Sequence, residues 1–370
     1  MDAHISDAYG RPLDNLRIAV TRECNYRCFF CHIEGDPSGG PARIGTSPPQ
    51  LRPDDYYVVA AAASRLGIKA FKITGGEPLV RSDIASIISN IRDASGPDVD
   101  ISMTTNGYLL SAYAKALYDS GLRRVNVSLH SLNREHYKII TGVDGLDHVI
   151  DGIERALDVG LKVKVNVTVT KVNVNDVWDI IDFASSRGVA VQLIELQPVN
   201  EGLRVFKDMH VDLSSLESKL KEYSSKVVLR PLHNRPIYIL KNGVTVEVVK
   251  PFNNPLFCAG CRRVRLLSDG RLTPCINYMG PGVNVLKVLR EARTKEEAID
   301  GVVKALIKVN QLRKPFYMWP LGGDGHTLTS YNVAGRLVLP KKVMSMATTP
   351  AGPTARPHEV QPREQIGKRL

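Results

Sequence analysis

From residue 16 to about 198 the chain alternates short β-branched runs with longer helical patterns, and this alternation constrains its fold most strongly. Strands are expected near 16–20, 70–73, 100–103, 124–127, 162–169 and 191–196, with helices near 53–66, 84–94, 112–120, 147–159 and 174–186. Gly67, Gly121, Gly160 and Gly188 fall just past periodic segments, where helices end. Repeated strand-then-helix units build a parallel sheet with right-handed crossovers. Six units make either a doubly wound sheet or an incomplete barrel. The polar residues choose between them. A cysteine loop follows the first strand and Thr74-Gly75-Gly76-Glu77-Pro78 the second; Thr104-Thr105-Asn106-Gly107 and Ser128-Leu129-His130 follow the third and fourth. Ligands bind at the carboxyl ends of such strands. Four consecutive contributions argue for one shared mouth, so the expected class is α/β, an incomplete (β/α)6 TIM-like barrel.

Beyond residue 200 the pattern changes. A helix near 213–223 precedes short runs at 237–240 and 244–249, joined by Asn242-Gly243, a strong hairpin signal. A second cysteine group and a helix near 295–311 follow. The expected organisation is a barrel core over 1–200, a region over 201–340 that closes it, and a disordered tail over 341–370. No run approaches the roughly 18 apolar residues of a membrane helix. Residues 1–11 lack the apolar core of a signal peptide, so a cytoplasmic protein is expected. The net charge of +11 suits an anionic ligand, nucleic acid or a merely solvated surface, and composition does not separate these.

The six cysteines fall into two groups of three, Cys24/Cys28/Cys31 and Cys258/Cys261/Cys275. In a reducing compartment, clustered cysteines bind metal more often than they pair. Cys24-x3-Cys28-x2-Cys31 can hold three irons of a 4Fe–4S cube and leave the fourth open, as a catalytic metal requires. A zinc site completed by His32 is the alternative, although zinc ligands usually come as two spaced pairs. The second group, with Arg263 and Arg265 inside it, again offers three thiolates. Its free position could bind substrate, relay electrons or take a fourth protein ligand. Zinc completed by His326 stays open there.

C-x3-C-x2-C after a first strand resembles the radical S-adenosylmethionine (SAM) enzymes. Gly75-Gly76-Glu77-Pro78 looks like their GGEP motif, which contacts the methionine amino group of SAM. That resemblance gives Gly76 and Glu77 a cofactor role. It also places Phe30 beside the adenine and Ser128 against SAM. With the second triad included, the chain resembles the GTP 3',8-cyclases, the MoaA-type enzymes that begin molybdenum cofactor biosynthesis. The stretches that carry this are 15–21, 72–78, 104–107, 124–129, 163–167 and 258–275, and Cys-His-Ile-Glu-Gly at 31–35 resembles archaeal members.

The resemblance implies two 4Fe–4S clusters, SAM as cofactor and GTP as substrate, with guanine at the second cluster's free iron. It implies that Arg17, Lys72, Lys164, Arg263 and Arg265 line the triphosphate and ribose, that Thr104 touches the nucleotide, and that Arg17, Arg263 and Arg265 are the catalytic candidates. It implies an adenosyl radical that takes hydrogen from C3' of the ribose, after which C3' attacks C8. An electron donor, a downstream cyclic pyranopterin synthase and a homodimer come with the family; nucleic acid and membranes do not. A radical SAM enzyme acting on a peptide is the alternative.

Three positions depart from the family's pattern: Gln197 where a methionine is common, Gln192 for an arginine, and His130 for an aspartate. The family's terminal double glycine is missing from 367–370, and Gly322-Gly323 is internal. His136, His210 and His233 sit in no motif and read as surface or packing residues, and Trp178 reads as core.

Overall fold

The six β-branched runs become parallel strands in chain order: β1 (Asn15–Ala19), β2 (Ala70–Thr74), β3 (Asp100–Thr105), β4 (Arg124–Ser128), β5 (Lys162–Val169) and β6 (Ala190–Glu195). This computed structural model describes residues 5–36, 40–47 and 50–316. The tail expected over 341–370, Gly322-Gly323 and His326 lie outside them. Helices α1 (Pro53–Arg65), α2 (Ile84–Ser95) and α3 (Leu110–Asp119) link the first four strands. A pair, α4 (Arg134–Thr141) and α5 (Leu146–Asp158), links β4 to β5, and α6 (Val177–Ser185) leads to β6.

Alternation along each strand separates two faces. Leu16, Ile18, Ile73, Ile101, Met103, Val125 and Val165 are fully buried in one apolar core with the helices. In α2 the residues Ile84, Ile87, Ile88 and Ile91 recur at helical spacing and are buried on one face. Each contributes about 1.5–3 kcal/mol by leaving water. The intervening strand residues are polar. Arg17 pairs in register with Lys72, Lys72 with Ser102 and Ser102 with Arg124, and this row lines the barrel interior.

The chain beyond residue 200 extends the sheet at both margins. After α7 (Glu201–Met209) and α8 (Ser214–Tyr223) come β7 (Ser224–Arg230), β8 (Arg235–Leu240) and β9 (Thr245–Val249), with β9 parallel beside β6. The expected Asn-Gly hairpin joins β8 to β9: Gly243 N donates to Leu240 O, and its φ is +87°. A short helix α9 (Pro255–Ala259) then leads to β10 (Arg263–Leu266), which lies parallel beside β1. Antiparallel β11 (Arg271–Thr273) and β12 (Val283–Asn284) follow, then α10 (Leu286–Glu291) and α11 (Lys295–Gln311). Thr294 caps α11, its hydroxyl accepting from Glu297 N at 3.1 Å. The sheet order is β12-β11-β10-β1-β2-β3-β4-β5-β6-β9-β8-β7.

Strand five and the last helix match the expected bounds. Helix α4, edge strand β7 and the short β10–β12 are elements that periodicity did not reveal. Val227, Val228 and Leu229 of β7 are all exposed, so no buried face patterns that strand. Strand β10 has only four residues, set between cysteines.

Candidate active site

The first cysteine loop leaves β1 and folds back on its neighbours. Arg27 N donates to Thr141 O at 3.0 Å and Phe29 N to Ile140 O at 3.2 Å, so the end of α4 holds the loop. Beneath it the hydroxyls of Tyr26 and Tyr137 lie 3.1 Å apart, fully enclosed. Cys24, Cys28 and Cys31 are free thiols that face one cavity. Burial pushes Cys24 up to about 12 and Cys31 up to about 11. A cluster's cationic iron, held by these thiolates, would offset that penalty and favour the deprotonated form.

Three free thiols on one loop fit the three-cysteine side of a 4Fe–4S cluster. A zinc reading fits less well. His32 Nδ1 instead accepts from Glu34 N at 3.0 Å.

The Gly-Gly-Glu-Pro turn packs against this loop backbone to backbone. Gly76 N donates to Thr21 O and Glu77 N to Glu23 O, both at 2.8 Å. A Cβ on Gly76 would meet Glu23 O at 2.2 Å, so only glycine fits. The Glu77 carboxylate turns toward β3, accepting from Thr105 Oγ1 and Asn106 N at 2.6 Å and from Leu79 N at 3.0 Å. Burial still pushes it up to about 7. Phe30 meets His130 edge-on at 5.0 Å. Phe30, Ser128, Thr104, Gln192 and Gln197 all line the same cavity. His130 is buried and held neutral by that burial, with its Nδ1 accepting from Thr168 N.

The second triad lies across the cavity, of about 360 Å³, from the first. Arg11 Nη1 donates to Cys258 O at 2.9 Å, and Arg313 Nη2 to Cys261 O. Both arginines converge on buried Asp7. These two braces carry no motif, and the sequence reading missed them. Strand β10 places Arg265 beside Arg17 and Arg263 beside Asn15. The two arginines between the cysteines therefore join the wall begun by β1.

Eight Lys and Arg side chains line the cavity against three carboxylates. Some are already paired. Glu34 takes Arg17 Nε and Nη2 at 2.6 Å each, Thr74 Oγ1 at 2.8 Å, and Arg265 Nη1. Burial favours the neutral acid, but Arg17 and Arg265 outweigh it and hold Glu34 well below the usual carboxylate range. Lys164, Arg230 and Arg235 share Glu247, at 2.8, 3.1 and 3.1 Å.

Lys72 and Arg263 have no carboxylate partner among the described residues. Lys72 Nζ reaches only Asn126 Oδ1 at 2.7 Å and Met103 O at 3.2 Å, and Arg263 Nε is buried without a partner. Burial, then neighbouring cations, hold the Lys72 ammonium well below its ordinary value and Arg263 down to about 9. Two half-buried cations without a carboxylate partner leave positive charge at the cavity wall, which an anion would offset.

The structure chooses between surface and packing for the three histidines that sit in no motif. His233 packs: it is buried, stacked on Phe257 at 4.0 Å, and lines the cavity. His136 pairs with Asp176 at 2.7 Å and His210 with Glu195 at 3.0 Å. Trp178 packs partly buried against the core, edge-on to Tyr223.

The radical SAM superfamily matches residues 18–184, and the family described as Molybdenum Cofactor Synthesis C matches 189–318. A protein of Aeropyrum pernix described as "Probable GTP 3',8-cyclase" is 43% identical over 91% of this chain and 95% of its own length. The chain belongs to the GTP 3',8-cyclase family. A second relative of the same description, from Sulfurisphaera tokodaii, is 42% identical over 85% of this chain and 97% of its own. Among solved structures, Streptococcus suis SuiB bound to its precursor peptide SuiA aligns with a TM-score of 0.58 at 17% identity, covering 84% of this chain and 76% of SuiB. That likeness shows the radical SAM fold alone. SAM and iron–sulfur clusters are the cofactors of the GTP 3',8-cyclase family, and both cysteine triads of this member open on one cavity.

Proposed function

We infer that this chain converts 5'-GTP to 3',8-cyclo-7,8-dihydroguanosine 5'-triphosphate, the first step of molybdenum cofactor biosynthesis. The observation that carries this is the sharing of one cavity by two cysteine triads and two half-buried cations without a carboxylate partner among the described residues, Lys72 and Arg263. Residues 1–200 form the radical SAM barrel core, with much of the nucleotide wall, and the region from 201 to 340 carries the second cysteine triad with Arg263 and Arg265 and closes the barrel.

Cys24, Cys28 and Cys31 hold one 4Fe–4S cluster, and Cys258, Cys261 and Cys275 hold the other. When bound, the first cluster with SAM supplies one-electron chemistry that makes a carbon radical. The protein's own residues do the positioning. The Gly76 turn, Glu77, Phe30 and Ser128 form the SAM side. Arg17, Lys72, Thr104, Lys164, Arg263 and Arg265 form the nucleotide side, where a triphosphate of about four negative charges meets a cationic wall. Anchoring the base at one end and the phosphates at the other fixes C3' relative to C8, which is an orientation task.

The Gln192 and Gln197 amides stand where relatives place charge or thioether, and they leave this wall intact. An electron donor feeds the reaction, and the product passes to a cyclic pyranopterin synthase in the cytoplasm. A homodimer is the proposed assembly. Among the described residues no helix is long and apolar enough to cross a membrane.

The test is product analysis after anaerobic incubation with GTP, SAM and dithionite. A new species isomeric with GTP is expected, whose C8 keeps its proton but is saturated, so that signal leaves the aromatic region. GTP recovered unchanged while SAM is cleaved would overturn the reading.

A further inference from the structure

Glu34 is the carboxylate that most directly opposes the nucleotide reading, because it sits where a phosphate should. It occupies a bidentate edge of Arg17 through two 2.6 Å bonds and also takes Arg265 Nη1 and the Thr74 hydroxyl. Its placement is built rather than incidental. Ile33 and Glu34 both adopt left-handed backbone, at φ 47° and 55°, a region side chains enter rarely. The next residue, Gly35, has φ +83° and lies so close to Ile276 that a Cβ would stand 2.4 Å from its carbonyl oxygen. The turn is thus wedged between Cys31 of one triad and Cys275 of the other, and it drives a carboxylate into the cationic wall.

We propose that Glu34 is an internal competitor for the phosphates of the nucleoside triphosphate, setting the affinity of the nucleotide site. This rests on the reading of the cavity as a GTP site. Without nucleotide, the single negative charge of Glu34 is shared by Arg17 and Arg265 and halves their net charge, so neither guanidinium stands unpaired. The approaching triphosphate finds Lys72 and Arg263 unpaired, and engages Arg17 and Arg265 only by taking over the bonds that Glu34 holds. Substrate binding then carries the work of displacing one buried carboxylate. A nucleotide with fewer phosphates has less charge with which to do it. Glu34 is an affinity-setting residue, not a catalytic one, since nothing in its position needs it to touch the reacting carbons.

The sign of the expected effect is unusual: deleting a buried charge should tighten binding. The experiment measures equilibrium binding of GTP and of inorganic triphosphate to holoenzyme with both clusters loaded, without reductant. Glu34→Gln keeps the shape and removes the charge, and both ligands are expected to bind about tenfold more tightly, with KM falling in step. Thr74→Val removes one hydrogen bond to the carboxylate and should shift binding in the same direction by a smaller factor. Iron content reports that each variant holds its clusters. Unchanged or weaker binding with iron intact would overturn the proposal and make Glu34 a scaffold for the arginines. If Glu34→Gln loses its clusters, Thr74→Val alone decides, by tighter binding or by none. Failure of the wild-type holoenzyme to bind GTP at all would overturn the cyclase reading and this proposal with it.

Discussion

Arg17 of β1 and Arg265 of β10 face each other in register on adjacent parallel strands, so the end of the chain completes a cationic wall begun near its start. Both guanidiniums are mostly enclosed, and each contributes charge-assisted hydrogen bonds of about 1.5–3 kcal/mol when paired with an anion. Arg265→Ala and Arg263→Ala should therefore lower kcat/KM for GTP at least about tenfold each while both clusters stay loaded. Iron analysis beside steady-state kinetics checks this. Loss of iron in either variant would give the arginines a structural role instead.

Lys72 makes the opposite trade. An enclosed ammonium with only two neutral acceptors weakens the ligand-free fold. Lys72→Met should raise the stability of the ligand-free protein by about 1 kcal/mol, read by chemical denaturation. The same variant should raise KM for GTP about tenfold or more. A variant that is both less stable and normal in KM would show that the amine serves the fold alone.

Gly76 has no room for a methyl group, because its neighbour is the backbone oxygen of Glu23 rather than a side chain that can swing away. Gly76→Ala should destabilise by at least about 2 kcal/mol and displace the cysteine loop. The expected readout is selective loss of about half the iron, with the second cluster retained. Full iron loading in this variant would contradict the packing argument.

His130 and Glu247 should each take stability away on acidification, while Glu77, raised by burial to about 7, works in the opposite direction between about pH 7 and 4.5. Burial holds the folded His130 down at about 4, against about 6.5 unfolded. A depressed pKa gives stability that is present above the unfolded value and lost as pH falls through the folded one, here about 3 kcal/mol between pH 6.5 and 4. Glu247, which Arg235, Lys164 and Arg230 pull down to about 2 against its burial, adds a second loss as pH falls from about 4.5 toward 2. Denaturation measured across pH should show the first window flatten in His130→Gln. An unchanged slope there would contradict it.

Much of this was legible in the sequence. The six parallel strands and both triads follow from periodicity and spacing, since an apolar face and a metal loop each need fixed intervals. Thr104 and Ser128 could be placed at the mouth because their segments follow strands, whereas Arg17, Lys72 and Lys164 were legible only through the resemblance to the GTP 3',8-cyclases. What sequence did not reveal was pairing across distance. Nothing local says that β10 lies beside β1, although the alternation Arg263-Val264-Arg265-Leu266 is the signal a four-residue strand would leave. Asp7, Arg11 and Arg313, which brace the second cysteine loop, carry no pattern. His233 sits in no motif, so sequence left surface and packing open, and the fold shows it stacked on Phe257 inside the cavity.

The most direct test of two triads serving one substrate is iron content together with SAM cleavage, measured on the anaerobically reconstituted protein with and without GTP. The account predicts about eight irons per chain and release of 5'-deoxyadenosine that rises with GTP and is matched by its consumption. About four irons, or cleavage indifferent to GTP, would contradict it.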